Sequence, residues 1–598
     1  MEEHTTIDFT RVFDIIGYQQ KKYPQSKALL QLKNGQWEGY SISEVQKKVD
    51  IISCWLLEHG FEQGTCISVI PRMGSPEWMM VDLASLQAGL TIVPIHPIST
   101  TEEIEFILNE TGATICIAAD SELHEKIKSL MGNVPSLQWA FQLENEKEDY
   151  FPPLLLENIS TDQHEALNLR KKQIKEEDLL AIMYTSGTSG ISKGALLTHG
   201  NVVSNIKSIL TVLPLQPGHR ALSFLPYSHI FERTSSYAYM AFGVQIHFSQ
   251  SIENLTHDFR SVKPFFCTSV PRTLEKMYNF LLEQRQGKSW LKKILITWAM
   301  SIGEKYKDKQ AAALLFVVQL FFARLWVLNR WRKGLGGHLR YMAVGAAALR
   351  PEIGRLFSAA GIQVLSGYGM TEASPFISVN RYQPGLNRFG TVGTPVPGVE
   401  IKLDNPDENG EGEILVKGPN IMKGYFKRPE LTREVFTDDG WLKTGDVGKM
   451  VEKRFLSITD RKKDIFKTSA GKYIAPQPLE NHFCSSPFIV QCLILGFNKP
   501  YVTAILVPNF SFLKTWCEGQ GIHWTSPPFM VHNIKVLKKF QEETERLNAT
   551  LQNFERIRNF ILSDEEWTVE SKDLTTSFKP RRNKLLEMYR GEIEKMYL

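Results

Sequence analysis

The chain is poor in several things, and each absence narrows what it can be. Its seven cysteines (Cys54, Cys66, Cys116, Cys267, Cys484, Cys492 and Cys517) are odd in number, widely spaced and include no CxxC pair. That excludes a paired-cysteine zinc or redox motif and fits reduced thiols. An excess of one charge is missing too: 69 Lys and Arg stand against 65 Asp and Glu, a formal net charge of +4. Nothing therefore calls for a nucleic-acid partner. The opening Met1-Glu2-Glu3-His4 is acidic and no apolar stretch follows it, so a secretory signal is not expected and residence should be cytoplasmic. Internal repeats and low-complexity tracts are lacking. At 598 residues the chain exceeds what one hydrophobic core supports, and two or more domains are expected.

Long apolar runs are scarce, with one exception. Ala311 to Leu328 is interrupted only by Gln319 and Arg324 and is flanked by Lys305, Lys307, Lys309, Arg330, Arg332 and Lys333. Its 18 residues lie at the lower edge of a bilayer span, and Arg324 would be costly at mid-membrane. An interfacial helix and a buried or partner-facing helix both suit the run better than a span, which leaves peripheral membrane contact through 311–328 open.

What is present reads as α/β. From Phe9 to Pro97 helical stretches alternate with short β-rich runs such as Cys66 to Ile70 and Thr91 to Pro94, the pattern of βα units on a mostly parallel sheet. Ser99-Thr100-Thr101-Glu102-Glu103 offers a cap for a helix over 101–111, ahead of a strand at Thr114 to Ala118. Glu144 to Glu177 is charged and irregular and is expected to be surface connection. The alternation returns with strand Leu339 to Val344, helix Pro351 to Ala360 and strand Ile362 to Leu365. From about Thr391 short strands and turns suggest a β-rich subdomain, and Lys463 to Leu598 reads as a separate α+β lid. The expected division is a large domain over 1–459 (β-rich over 391–459), a hinge at 460–462 and a lid over 463–598.

The densest chemistry lies in Tyr184-Thr185-Ser186-Gly187-Thr188-Ser189-Gly190-Ile191-Ser192-Lys193-Gly194. Hydroxyls of Thr185, Ser186, Thr188 and Ser189 can donate to phosphate oxygens. Gly187, Gly190 and Gly194 let backbone N–H groups face an anion, and Lys193 adds a mobile positive charge. The lysine follows Ser192 and precedes Gly194, which is not the Walker A order, so an ordinary P-loop NTPase is disfavoured. Alone, the stretch also fits a polar turn after a buried strand from Leu179 to Tyr184. Further on, Gly367-Tyr368-Gly369-Met370-Thr371-Glu372 joins backbone hinges to an aromatic face for adenine, a donor for an α-phosphate in Thr371 and a carboxylate for Mg²⁺ in Glu372. In open α/β sheets such loops at strand ends gather around one ligand, and Gly345-Ala346-Ala347-Ala348 is a third candidate.

These segments, in this order, resemble the adenylate-forming superfamily, which includes acyl-CoA synthetases, nonribosomal adenylation domains and luciferases. The likeness runs from about residue 10 to the C-terminus. It implies that Thr188 and Glu372 hold magnesium, that Gly345, Ala346 and Ala347 lie along the adenine, and that Asp446 in Gly440-Trp-Leu-Lys-Thr-Gly-Asp446 accepts the ribose hydroxyls. It implies further that Arg461 completes ribose and phosphate binding near the hinge and that Lys579 stabilises charge as a carboxylate attacks the α-phosphate. Ser469, Gly471 and Lys472, in Thr468 to Pro476, resemble the lid segment that helps form a CoA channel. Leu225-Pro-Tyr-Ser-His229-Ile-Phe-Glu-Arg233 is similar to the motif of long-chain acyl-CoA synthetases in which the histidine lies near the acyl carboxylate. Departures from the family's pattern are Ser189, Ile191-Ser192, Ala346-Ala347 and Pro580.

The resemblance implies a long-chain fatty acid:CoA ligase that uses ATP, Mg²⁺ and CoA as fatty acid is activated. Alternatives are an acyl-AMP ligase feeding a carrier protein, an aryl or medium-chain CoA ligase, and a catalytically weak membrane-associated fatty-acid binding protein. Chain length and oligomeric state are not legible in the sequence.

Overall fold

The computed structural model describes residues 7–144, 149–186, 192–283, 290–307, 314–469, 471–568, 571–575 and 580–598. Two sheets form the large domain. The first has six strands in the order Trp139–Gln142, Ile115–Ala118, Cys66–Ile70, Thr91–Pro94, Leu179–Ser186 and Ser192–Thr198. All neighbours are parallel except the last two strands, which form an antiparallel hairpin. The central strands carry Ile, Val and Ala buried on both faces, as parallel strands require when helices cover them. Helix Pro76–Gln87, capped by Ser75 and opened by Pro76, is buried along its whole length between the layers.

The second sheet has nine strands. Its order runs Thr394–Pro395, Phe376–Val379, Gln363–Gly369, Tyr341–Val344, Phe266–Ser269, Arg220–Ser223, Gln245–Phe248, Leu29–Lys33 and Gln36–Tyr40. The centre is parallel and both edges are antiparallel. One continuous core joins the two sheets. A four-stranded antiparallel sheet follows (Glu400–Asp404, Gly412–Lys417, Leu442–Val451, Phe455–Arg461), which agrees with the β-rich texture read from the sequence. The C-terminal part has its own core around Phe483, Phe488 and Phe540 and its own sheet of Ile489–Leu495, Val502–Pro508 and Ile557–Leu562.

Several expectations are corrected. The stretch 144–177 is not only connection: a capping box at Ser160 and Gln163 opens helix Thr161–Gln173, which buries only Leu167 and so shows no apolar stripe to betray it. The strand expected at 179–184 extends to Ser186, and the strand expected at 362–365 extends to Gly369. Tyr368 therefore stands on a strand and not in the loop after it. Thr100 caps helix Thr101–Thr111 through a capping box with Glu103, as the sequence suggested. All seven cysteines are free thiols.

Candidate active site

The hydroxyl- and glycine-rich stretch begins and ends on the two strands of an antiparallel hairpin. Thr185 pairs with Lys193 and Ser186 with Ser192 across the antiparallel strands, so residues 187–191 connect them in sequence; these five lie outside the described residues. The Thr185 hydroxyl faces the Lys193 carbonyl at 3.5 Å. This is a β-hairpin, not the strand–loop–helix of a Walker A site. Gly194 must be glycine: a Cβ there would come within 2.5 Å of the Ile182 side chain and 3.3 Å of the Tyr184 ring.

A third strand-like segment lies along the hairpin and brings a residue that the sequence reading missed. Gly424 and Tyr425 pair with the hairpin's second strand, through Leu196 N–H to the Gly424 carbonyl and Phe426 N–H to the Gly194 carbonyl. Tyr425 is thereby aimed between two of the expected site residues. Its hydroxyl donates to Glu372 Oε1 at 2.7 Å and accepts from Lys193 Nζ, while Lys193 Nζ lies 3.7 Å from that same Glu372 oxygen. Burial and the Glu372 carboxylate together push the Tyr425 phenol far above its ordinary range, so it stays a neutral hydrogen-bonding bridge. The Lys193 ammonium is shifted down by burial, an effect that Glu372 opposes and the nearby Lys463 reinforces. Nothing around Gly424-Tyr425 in the sequence marks the tyrosine as a bridge between segments 53 and 232 residues away.

Glu372 occupies a short 3₁₀ turn, Thr371–Ala373, and is only 6% exposed. Just before it, the strand bends back so tightly that a Cβ on Gly369 would stand 2.1 Å from the Pro375 carbonyl oxygen, and Met370 N–H closes the turn on that oxygen. Gly367 and Tyr368 precede the bend and pair with Val379 and Ser378. The Tyr368 hydroxyl donates to Asp446 Oδ2 at 2.6 Å, and Arg461 Nε stands 3.4 Å from Asp446 Oδ1, opposite it in register. Burial and the Asp446 charge drive the Tyr368 phenol well above its ordinary range. The expected adenine platform and the expected ribose acceptor are thus one hydrogen-bonded unit.

Gly345, Ala346 and Ala347 follow the strand Tyr341–Val344. Ala346 has φ +71°, a conformation that suits glycine, and it is solvent-exposed with Ala347, so its methyl group is held there at a conformational cost. Gly345 is buried, and a Cβ on it would touch the Phe231 ring at 3.4 Å, which joins this wall to the His229 motif. His229 precedes helix Ile230–Ala241, and its ring lies 5.0 Å from that of His96. Burial lowers His229 to about 4 and His96, with help from His229, to about 3, so both rings are neutral near pH 7. Along helix Ile230–Ala241, Ile209, Leu213, Ala238, Tyr239, Ala343 and Phe376 line a small apolar cavity of about 10 Å³.

The remaining expectations fall on the C-terminal part. Ser469, Gly471 and Lys472 form an exposed turn of the small hairpin Phe466–Lys467/Tyr473–Ile474, where Ser469 N–H donates to the Lys499 carbonyl and Lys472 lies 5.6 Å from the Phe554 ring centre. Lys579 lies outside the described residues. Asp460 is buried, and its carboxylate accepts from the N–H groups of Arg461 (2.6 Å) and Gln477 (3.1 Å), tying the end of the four-stranded sheet to the first helix of the C-terminal part.

Comparison with known proteins follows the same division. Residues 17–426 match the AMP-binding enzyme family and residues 463–598 match the AMP-binding enzyme C-terminal domain. The chain is 30% identical to the long-chain-fatty-acid–CoA ligase FadD15 of Mycobacterium bovis, over 95% of this chain and 93% of that one. It is 32% identical to long-chain-fatty-acid–CoA ligase 6 of Mus musculus, over 94% of this chain and 83% of that one. The adenylation domain of a carboxylate reductase from Mycobacterium chelonae shares the fold, with a TM-score of 0.75 at 21% identity over 99% of this chain and 92% of that one. With both of its parts matched in order, the chain belongs to the AMP-binding, adenylate-forming enzyme family.

Proposed function

We propose that this protein is a long-chain fatty acid–CoA ligase: it joins a fatty carboxylate to AMP with release of diphosphate, and then lets the CoA thiol displace AMP. One observation carries the reading. Lys193, Tyr425 and Glu372 converge in one cluster while Tyr368, Asp446 and Arg461 form a second, and relatives matched over 94% and 95% of the chain are long-chain-fatty-acid–CoA ligases.

A carboxylate is a poor acylating agent, and the mixed anhydride with AMP supplies the leaving group that a thiol needs. The protein's contribution is chiefly placement and charge. Lys193 is placed to offset charge on the α-phosphate, and Lys579 joins it in this reading. Thr185, Ser186, Thr188, Ser189 and the glycines 187 and 190 take the phosphates, and Thr371 donates to the α-phosphate. Tyr368 offers its ring to adenine, flanked by Gly345, Ala346, Ala347, Gly367, Gly369 and Met370, while Asp446 holds the ribose and Arg461 secures it.

A magnesium ion fits the residues present. Mg²⁺ is usually held by one or two carboxylates with phosphate oxygens and water. Glu372 is a buried carboxylate whose hydrogen bonds, among the described residues, end on Oε1, so Oε2 is the atom for the cation, and the family resemblance implies Thr188 as its second protein ligand. Bound there, the ion would neutralise phosphate charge as the acyl–phosphate bond forms.

His229, neutral and half-buried, would orient the fatty carboxylate. The hinge lies at 460–462, between a large domain ending at 459 and a lid over 463–598. Rotation there brings Ser469, Gly471 and Lys472 toward a CoA channel. The protein works in the cytoplasm, with peripheral membrane contact through residues 311–328. The test is product analysis by mass spectrometry after incubation with ATP, Mg²⁺, CoA and a panel of short to very long fatty acids. Acyl-CoA with AMP is expected; acyl-AMP without thioester would reassign the protein to carrier-protein ligation, and unconsumed ATP would overturn the reading.

A further inference from the structure

Two helices outside the site expose what a water-facing surface normally hides. Trp290–Glu304 and Leu314–Ala323 pack together, and the second continues through a π-helical turn, Arg324–Leu328, into Asn329–Gly334. Among the described residues, one side packs on the body of the protein. Leu320, Ala323, Val327 and Leu328 join Ala299, Met300, Leu356 and Ala359 in a small core, and Gly303 is so close to Leu356 that a Cβ would meet it at 2.4 Å. Outward, the pair presents Trp290 (69% exposed), Ile294 (58%), Leu314 (81%), Leu315 (69%), Phe321 (61%) and Leu325 (54%). Rings continue the face: Phe322 and Trp326 lie 5.0 Å apart, and Trp326 lies 6.3 Å from Trp298. A contiguous apolar face of this kind marks an interaction surface.

Charge selects the occupant. Residues 290–334 carry nine Lys and Arg against two acidic residues, whereas the rest of the chain carries 60 against 63, so the whole positive excess of the protein lies in this segment. Of the acidic residues, Glu304 is engaged with the Tyr278 hydroxyl at 3.3 Å. Lys292, Lys293, Arg330 and Lys333 are exposed next to the apolar side chains in sequence. Aromatic and aliphatic groups bordered by basic ones fit the boundary between anionic headgroups and acyl chains. A span is disfavoured by Arg324: its Nε donates to the Ala359 carbonyl at 2.6 Å, which fastens the helix to the body of the domain. The helix Leu314–Gly334 has the length and composition of a span, but its inner side is committed to that core.

The geometry points to an anionic lipid bilayer as the partner of this face: the helix pair lies in the membrane interface, with Trp290, Leu315, Phe321 and Trp326 among the acyl chains and Lys292, Lys293 and Arg330 at the headgroups. This assigns the anchor to both helices rather than to 311–328 alone, and it names the lipid charge. It stands apart from the ligase reading, because binding and chemistry are read separately.

The test is flotation of the full chain with neutral phosphatidylcholine vesicles and with vesicles that also contain phosphatidylserine. The wild type floats with the anionic vesicles and is released by salt. Lys292→Glu with Lys293→Glu weakens binding on the order of thirty-fold, and Leu315→Ser with Phe321→Ser abolishes it. Both pairs are surface changes, and circular dichroism with the urea unfolding midpoint reports that each variant is folded. Equal flotation of wild type and variants, or no flotation of the wild type, overturns the proposal. A dimer in solution that Leu315→Ser with Phe321→Ser dissociates, without lipid binding, overturns it in favour of a second copy.

Discussion

Two ion pairs in the large domain are built in opposite ways. Asp82 and Arg233 meet at 2.5 and 3.0 Å with Tyr237 closing the third side, and the arginine side chain is 1% exposed. Its Nε is shared between Asp82 and Tyr237, one Nη is on Asp82 and the other faces Met183 sulfur. Glu372 and Lys193 stand 3.7 Å apart with a tyrosine between them, and the lysine side chain is 28% exposed. The first pair spends its hydrogen-bonding capacity inside the fold and pins helix Ile230–Ala241 to helix Pro76–Gln87. The second holds one charge loosely against another, which is what a site needs if a polyphosphate is to enter between them. Proximity of opposite charges therefore does not identify a site; unspent capacity on a side chain that stays partly exposed does.

That contrast is broken most severely by Asp82→Ala. It leaves a buried guanidinium without its carboxylate and should cost about 3–5 kcal/mol in urea unfolding, with turnover per folded molecule little changed. Lys193→Met and Glu372→Gln should do the reverse: unfolding midpoints close to wild type, and kcat/KM for acyl-CoA formation lower by about 10²–10³. Should the two sets give the same pattern, the distinction between structural and functional pairs fails.

Asp446→Ala should raise the KM for ATP by roughly ten- to a hundred-fold with a smaller effect on kcat, the range for hydrogen bonds to a charged group. Tyr368→Phe, which keeps the ring and loses only the hydroxyl on Asp446, should cost less. An unchanged KM in Asp446→Ala removes it from the ribose site.

The neutral histidines sharpen the comparison through pH. Both folded values, about 3 for His96 and about 4 for His229, lie below the unfolded value near 6.5. Below about pH 6.5 the unfolded chain binds more protons, so stability is complete above that pH and falls as pH drops toward the folded values. The slope is at most about 1.4 kcal/mol per pH unit for each ring. Stability measured at pH 7 and pH 5 should drop less in a His96→Asn, His229→Asn double variant than in wild type. Smallest is Ala346→Gly, which relieves a left-handed alanine and should add about 0.5–1 kcal/mol, read as a small rise in Tm.

Much of this was legible in the chain because it rests on local patterns. Alternating apolar runs and a cap such as Thr100 place strands and helices without tertiary information, and the loop, Tyr368 and Asp446 segments keep a fixed order. Tyr425 was not legible, because its place depends on Gly424 and Phe426 pairing with a hairpin 230 residues earlier. Helix Thr161–Gln173 was missed because a helix that buries a single leucine has no stripe to read. The apolar run at 311–328 showed its hydrophobicity but not its partner helix, since the exposed Trp290 and Ile294 lie on a segment whose own pattern is unremarkable.

The most direct test of the central claim, that the Lys193–Tyr425–Glu372 and Tyr368–Asp446–Arg461 clusters activate a fatty acid with ATP, is fatty-acid-dependent exchange of labelled pyrophosphate into ATP. Wild type should exchange label only when a long-chain fatty acid is present, and Lys193→Met and Glu372→Gln should lose that exchange while remaining folded. Exchange at the wild-type rate in both variants, or none in the wild type, would contradict the account.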